Sequence, residues 1–238
     1  MDRLLYKDQV IALTGTSRGI GKMLAQDLVE RGAIVLGFSR SEGTINHPQY
    51  QHFAVDISEE KPVETIFRSI KKQCGKIDIL INNAGVAKSQ FTLLTPLAHA
   101  EEVMRINFLG AFLMAREAGK IMMSRKFGRI INISSMTVPL APEGGAIYSA
   151  SKSALTQLTH TMAKELASYN ITCNLLGISA IETEMYQTLS RDKLDAMINS
   201  LPLKKPATIA DITNVIDFFA RRESSNITSQ IVYLGGVY

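Results

Sequence analysis

Residues 9–40 read QVIALTGTSRGIGKMLAQDLVERGAIVLGFSR, and the succession of residue types here decides the fold. Gln9–Thr14 is a short apolar run that stops at Gly15. Gly19 and Gly21 follow, and Ile20–Arg31 takes up a helical pattern with Met23, Leu24 and Leu28 spaced for one buried face. Ala33–Phe38 is a second apolar strand, which completes a βαβ unit of about thirty residues. Strand, glycine turn and helix are the surroundings that a phosphate-cradling loop needs. Glycines let backbone N–H groups approach a pyrophosphate at the positive end of a helix. The residues placed for that task are Gly15, Thr16, Ser17, Arg18, Gly19, Ile20 and Gly21. A plain left-handed turn would use the same glycines, and the spacing Gly-x-x-x-Gly-x-Gly differs from the commoner Gly-x-Gly-x-x-Gly.

The end of the second strand separates one dinucleotide from another. An acidic residue there would bond the adenosine ribose of NAD, whereas this chain has Phe38-Ser39-Arg40. Arg40, with Arg18 from the loop, suits the 2′-phosphate of NADP, whose oxygens match guanidinium geometry. NADP(H) is therefore expected in preference to NAD(H). The plainer reading is a pair of solvated surface arginines.

Downstream, strands and helices keep alternating. His52–Val55 is a third strand, closed by Asp56 and Ile57, where Asp56 either caps the next helix or touches the adenine. Glu59–Cys74 is an amphipathic helix with Pro62 in its first turn. Ile77–Ile81 is nearly all apolar, as suits a parallel strand buried on both faces. Asn82-Asn83-Ala84-Gly85 follows at its carboxyl end, where open α/β sheets bind ligands, although two asparagines also shape turns. Pro96–Lys126 holds two helical stretches with Asn107 near their junction. Amid Met104, Ile106, Phe108 and Leu109, that amide must be hydrogen-bonded, either for structure alone or to orient a water near Lys152. Arg129–Ser134, Ile171–Leu176 and Gln230–Leu234 are further strands, and Thr208–Ala220 is a helix with Thr208 as N-cap. Thr183–Asn199 reads as a mobile, partly helical segment, and Thr183–Pro202 is expected to cover a substrate pocket. No linker or shift of composition divides the chain, so one α/β domain spanning 1–238 is expected, with a doubly wound parallel sheet.

Tyr148-Ser149-Ala150-Ser151-Lys152, with Ser135 ahead of it, is where chemistry is expected. The helical pattern over Tyr148–Tyr169, with Ala150, Ala154, Leu158, Met162 and Leu166 at i, i+4 steps, puts Tyr148 and Lys152 one turn apart on one face. A phenol, with an ordinary pKa of about 10, is a weak acid at neutral pH. An ammonium beside it favours the phenolate and eases proton transfer, and Ser135 is placed to hydrogen-bond the same substrate oxygen. Taken alone, Tyr-x-x-x-Lys is also a common surface pairing.

The whole-chain properties narrow the alternatives. The 238 residues are 46% hydrophobic with no tryptophan, which fits a compact globule. A net charge of +4, spread along the chain, permits an anionic cofactor without arguing for nucleic acid. Cys74 and Cys173 lie far apart without metal-type spacing, so neither a zinc site nor a disulfide framework is expected. The absence of a signal-like segment or a long apolar run argues for a cytoplasmic chain with no membrane contact.

With Gly15/Gly19/Gly21, Asn82-Asn83-Ala84-Gly85, Asn107, Ser135, Tyr148 and Lys152 in this order, the chain resembles the short-chain dehydrogenase/reductase family from about residue 7 to its end. The resemblance implies a Rossmann fold with a seven-stranded parallel sheet and a nicotinamide cofactor. It also implies a catalytic tetrad: Tyr148 as general acid, Lys152 lowering its pKa and holding the ribose, Ser135 positioning the carbonyl, and Asn107 supporting a proton-relay water. Asn83, with Ala84 and Gly85, would lie near the nicotinamide ribose, and Ile181 and Thr183 near the carboxamide and phosphates. Members form homodimers or homotetramers through the long helices, here Ala111–Lys126 and Tyr148–Tyr169. Ile181-Glu182-Thr183-Glu184-Met185 and the Arg-Gly-Ile-Gly loop are similar to those of 3-oxoacyl-(acyl-carrier-protein) reductases, which implies an acyl-thioester substrate and acyl carrier protein as a partner. Three departures accompany this. Ile178-Ser179 replaces the family's Pro-Gly, one of two carrier-docking basic positions is Lys126 but the other is Tyr169, and the chain stops just after its last strand. The alternatives are a sugar or other small-molecule carbonyl as substrate, or a cofactor-binding member without turnover.

Overall fold

The computed structural model describes residues 5–181, 198–199 and 201–237. Its strands are β1 (Val10–Thr14), β2 (Ile34–Ser39), β3 (Tyr50–Ala54), β4 (Ile79–Asn82), β5 (Gly128–Ser135), β6 (Ile171–Ile178) and β7 (Ile231–Tyr233). They form one seven-stranded sheet in the order β3-β2-β1-β4-β5-β6-β7, parallel throughout. The helices are α1 (Gly19–Glu30), α2 (Glu60–Cys74), α3 (Leu97–Met104), α4 (Ala111–Arg125), the short α5 (Thr137–Leu140), α6 (Ala146–Leu166) and α7 (Ile209–Ala220).

The near-continuous apolar strands follow from cover on both faces. Along β1 the side chains alternate: Val10 and Ala12 join Phe67, Ile70, Met114, Ala118 and Met162 on the α2/α4/α6 face. Ile11 and Leu13 join Leu24, Leu28, Ile212, Ile216 and Phe219 on the α1/α7 face. α7 starts as expected at Thr208, whose side chain accepts from the Asp211 N–H while Asp211 reaches back to the Thr208 N–H, a reciprocal capping box.

Three expectations need correction. Met23 is not on the buried face of α1 but is 36% exposed. The stripe against the sheet runs through Gly21, Leu24, Ala25 and Leu28, and Met23 sits about 100° round the helix from Leu24. On α6, a row of strict i+4 steps drifts round the axis. The buried face is Ser151, Lys152, Leu155, Thr159, Met162, Ala163 and Leu166, which leaves Ala150 exposed. The two helical stretches around Asn107 are one continuous helical path, because Arg105–Gly110 is wound as a π-helical segment between α3 and α4. No helix among the described residues is long and apolar enough to cross a membrane.

Candidate active site

Strand order reverses direction between β1 and β4, so their carboxyl ends open the crevice where doubly wound sheets take ligands. The two ends are laced together here. Thr14 Oγ1 accepts the backbone N–H groups of Asn83 (3.0 Å) and Ala84 (2.9 Å), and Asn83 Nδ2 donates to the Thr14 carbonyl at 3.0 Å. The glycine loop closes onto this seam with Gly15 at φ +79° and Gly19 at φ +55°. A Cβ on Gly21 would lie 2.2 Å from the Gly15 carbonyl oxygen, and one on Gly15 would lie 2.9 Å from Asn83 Nδ2. Glycine is therefore dictated by close backbone approach at Gly21 and by conformation at Gly15 and Gly19.

This end of the molecule fits an anionic dinucleotide. The N-cap of α1, Arg18, makes no side-chain capping bond, and the first turn carries no acid, so its N–H groups and dipole are open to a phosphate. Thr16 is buried and Ser17 and Ile20 are half-buried, while Arg18 and Arg40 are exposed. Ser39 is buried at the end of β2. Asp56 does not cap α2, whose N-cap is Glu59. Its carboxylate accepts the Ser58 N–H (3.0 Å), the Ser58 hydroxyl (2.6 Å) and Arg105 Nη1 (3.0 Å). Burial would raise its pKa, but these bonds outweigh it and hold the carboxyl below the usual range. Ile57 is buried core, and a Cβ on Gly110 would meet its Cγ1 at 2.9 Å.

The catalytic candidates gather at the carboxyl ends of β4 and β5. Asn107 is fully buried in the π-helical segment, a feature common at functional sites. Its Oδ1 accepts the Val86 N–H at 2.8 Å, and its Nδ2 donates to the Val86 carbonyl and to Ser151 Oγ, both at 3.0 Å. Beside it, a Cβ on Gly85 would lie 3.3 Å from Asn107 Oδ1 and 3.6 Å from Lys152 Nζ. Lys152 is buried and donates to the Ile133 carbonyl at 2.7 Å; burial lowers its pKa from 10.5 to about 8. Ser135 ends β5, and its Oγ accepts the Thr137 N–H at 3.2 Å.

Tyr148 departs from the expected electrostatics. Lys152 Nζ is 5.9 Å from the centroid of its ring, and the ammonium is turned to Ile133 rather than to the phenol oxygen. Burial raises the Tyr148 pKa above its ordinary value, and the Ser135 hydroxyl pulls it only part of the way back. Desolvation outweighs the Ser135 bond and favours the neutral phenol. Ile181 is buried and bridges Ala207; Thr183 and nearly all of the segment Thr183–Asn199 lie outside the described residues. The Ile178-Ser179 departure leaves β6 running through Ile178, with the buried Ser179 hydroxyl unpaired among the described residues.

Sequence reasoning missed the scaffold behind these groups. Asn82 Nδ2 donates to Asn132 Oδ1 at 2.9 Å, and Asn132 Nδ2 donates to Thr159 Oγ1 at 2.8 Å. The signal was a lone amide in the otherwise apolar Ile130–Ile133. Ser151, which fixes Asn107, lay unassigned between Tyr148 and Lys152.

A doubly wound parallel sheet with a glycine loop at its switch point defines a Rossmann-type dinucleotide-binding protein. The family model "short chain dehydrogenase" matches residues 9–194. The chain belongs to the short-chain dehydrogenase family, and so is an NAD(P)-dependent oxidoreductase acting on CH–OH or C=O groups. A similar relative is the 3-oxoacyl-(acyl-carrier-protein) reductase of Vibrio harveyi, 30% identical over 237 residues and covering 97% of each chain. Among solved structures, a gluconate 5-dehydrogenase from Burkholderia cenocepacia in complex with NADP and tartrate is 27% identical with a TM-score of 0.90, covering 99% of this chain and 96% of that one. The aldohexose dehydrogenase of Thermoplasma acidophilum, 24% identical with a TM-score of 0.88 over 100% of this chain and 96% of its own, shares the fold.

Proposed function

We propose that this chain is an NADPH-dependent reductase that converts a ketone to a secondary alcohol, with a 3-oxoacyl thioester as substrate class. The observation that carries the reading is the convergence of Ser135, Tyr148, Lys152 and Asn107 beside the glycine cradle. When bound, the dinucleotide supplies the hydride. Tyr148, held protonated by burial, gives its proton to the substrate oxygen, and Ser135 donates a hydrogen bond to that oxygen and orients it. The buried Lys152 cation, one turn away, lowers the cost of the phenolate left behind. Asn107 holds the Val86 backbone and Ser151 in place, and so the floor on which Lys152 stands. A cleft of about 490 Å³ lies at the start of α6, bordered by Phe91, Thr92, Ala141–Ala146 and Ser149, next in sequence to Tyr148.

Arg40 and Arg18, with no acid at the end of β2, support NADP(H) over NAD(H), as does the NADP complex of the Burkholderia protein. The same structural likeness favours a second reading, a ketone of sugar-acid type. Acyl carrier protein as a partner rests on the name of the Vibrio relative and on exposed Lys126. Exposed Leu109 and Ala150, on the segments leading into α4 and along α6, support a homo-oligomer through those helices, in a cytoplasmic setting.

Tyr148→Phe should abolish turnover on a short 3-oxoacyl thioester while NADPH still binds; near-normal turnover would end the proposed proton role. Arg40→Ala should weaken NADPH far more than NADH, and equal losses would remove the 2′-phosphate contact. Reduction of a keto-sugar acid with no activity on the thioester would favour the second reading.

A further inference from the structure

A second polar chain runs from the first half of β3 to the carboxyl end of β2 and the glycine loop, away from the catalytic cluster. Tyr50 and His52 point to the same side of β3. His52 Nε2 lies 2.9 Å from the Ser41 carbonyl oxygen and 3.2 Å from Ser39 Oγ. His52 Nδ1 lies 2.7 Å from Tyr50 Oη, which lies 2.9 Å from Thr16 Oγ1 in the glycine loop. Two glycines make room for this chain. A Cβ on Gly37 would lie 2.3 Å from Tyr50 Oη and 2.6 Å from Thr16 Oγ1, and one on Gly43 would lie 2.6 Å from the His52 ring.

Hydrogen counting gives the chain two states. A carbonyl only accepts, so Nε2 must carry a proton toward Ser41. With a neutral ring, Nδ1 accepts from Tyr50, and Tyr50 accepts from Thr16. A second proton on the ring leaves the Nε2 bond to Ser41 as it is and reverses the two beyond Nδ1: Nδ1 donates to Tyr50, Tyr50 donates to Thr16, and the Thr16 hydroxyl is released to donate elsewhere. That proton also places a cation against the Ser39–Ser41 corner that carries Arg40.

We propose that His52 is a specificity residue for the cofactor: in its doubly protonated form, with both N–H groups held by Ser41 and Tyr50, its charge adds to that of Arg40 in attracting the 2′-phosphate of NADP(H), and Tyr50 transmits that state to Thr16 in the pyrophosphate loop. The inference rests on the NADP(H) reading above. The other charged or titratable groups on the surrounding elements are Arg40, Glu42 and His47 in the β2–β3 connection, and Arg18 and Lys22 at the start of α1. Glu102 of α3 feels the charge of Arg40. His52 forms no ion pair among the described residues.

The test measures NADPH and NADH affinities between about pH 5.5 and 8.5, the range in which histidine changes charge. It compares the full chain with His52→Gln and Tyr50→Phe. A 2′-phosphate titrates in the same range, near pH 6, so the readout is the difference between wild type and His52→Gln. As pH falls, the preference for NADPH should grow roughly five-fold more in wild type than in His52→Gln, the scale of one added exposed charge. Calorimetry in two buffers should show NADPH binding taking up more protons in wild type than in His52→Gln. Tyr50→Phe should keep this pH-dependent preference and weaken both nucleotides alike. Superimposable pH curves for wild type and His52→Gln would overturn the role of His52. If Arg40→Ala still cost NADPH selectively in that case, the 2′-phosphate reading would stand without it. If Arg40→Ala also left the preference unchanged, both would fall.

Discussion

Lys152→Met should make this protein more stable at neutral pH while removing its turnover. The lysine is 3% exposed and pairs with no carboxylate among the described residues; the partner of its Nζ is the Ile133 carbonyl. Burial lowers its pKa from 10.5 to about 8. At about 1.4 kcal/mol per pH unit, keeping that ammonium charged in the folded state costs roughly 3 kcal/mol. Methionine fills a similar volume without the charge, at the expense of one hydrogen bond worth about 1 kcal/mol. The balance at pH 7 is a gain of about 2 kcal/mol, or about 4–8 °C in Tm for a chain of this length. The sign depends on pH. Between about 8 and 10.5 the unfolded lysine binds more protons than the folded one, so wild-type stability climbs with pH relative to the variant. The penalty is complete below about pH 8 and gone above 10.5. Urea or thermal unfolding of both proteins across that window measures the gap, with the other groups common to both. A gap that stays flat from pH 7 to 10.5, or a variant less stable than wild type at pH 7, would refute the claim that Lys152 is held charged against its surroundings.

Two further substitutions test the frame around the site. Gly21→Ala puts a Cβ 2.2 Å from the Gly15 carbonyl oxygen, so the loop must shift; expect a loss of about 1–3 kcal/mol and of NADPH binding by fluorescence titration, with wild-type affinity as the contrary result. Asp217→Ala removes the partner of buried Arg31 Nη2 (2.6 Å) and of the Tyr6 hydroxyl, and should cost about 3 kcal/mol in urea unfolding with little effect on cofactor affinity; a loss within the range of a surface substitution would show the Arg31 charge to be compensated otherwise.

The legible parts of the sequence were those in which one local pattern has one physical cause. Gln9–Arg31 announced its strand, loop and helix because apolar strand, glycine spacing and helical pattern follow one another within 23 residues. Asn107 was legible as buried and bonded because an amide amid apolar residues has no cheaper option, but its π-helical setting was not, since no residue type marks an extra backbone residue in a turn. Met23 on α1 and Ala150 on α6 departed for a geometric reason: adjacent residues are about 100° apart and every fourth residue moves about 40° round the axis, and only packing selects the face that is kept. Tyr148 failed for an energetic one. Adjacency to Lys152 could be read from spacing, whereas desolvation, which decides the direction of the shift, depends on elements far away in the chain. Tyr50 and His52 gave no warning at all, because an edge strand with alternating polar residues reads as a solvated face.

The two ends of the crevice handle positive charge in opposite ways, and the difference predicts how each tolerates change. Arg18 and Arg40 are exposed, so solvent screens them and each is worth about 1 kcal/mol or less to the fold. Their exchange should leave the sheet undisturbed. Lys152 is buried beneath Gly85, and its charge costs the folded state several times that amount. Such a group persists only if the surrounding structure holds it, and here Ile133 binds Nζ directly, while Asn107 and Ser151 bind one another next to it. A single exchange at the exposed end should therefore leave fold stability nearly unchanged, while a single exchange at the buried end, as in Lys152→Met, should move it by several times as much.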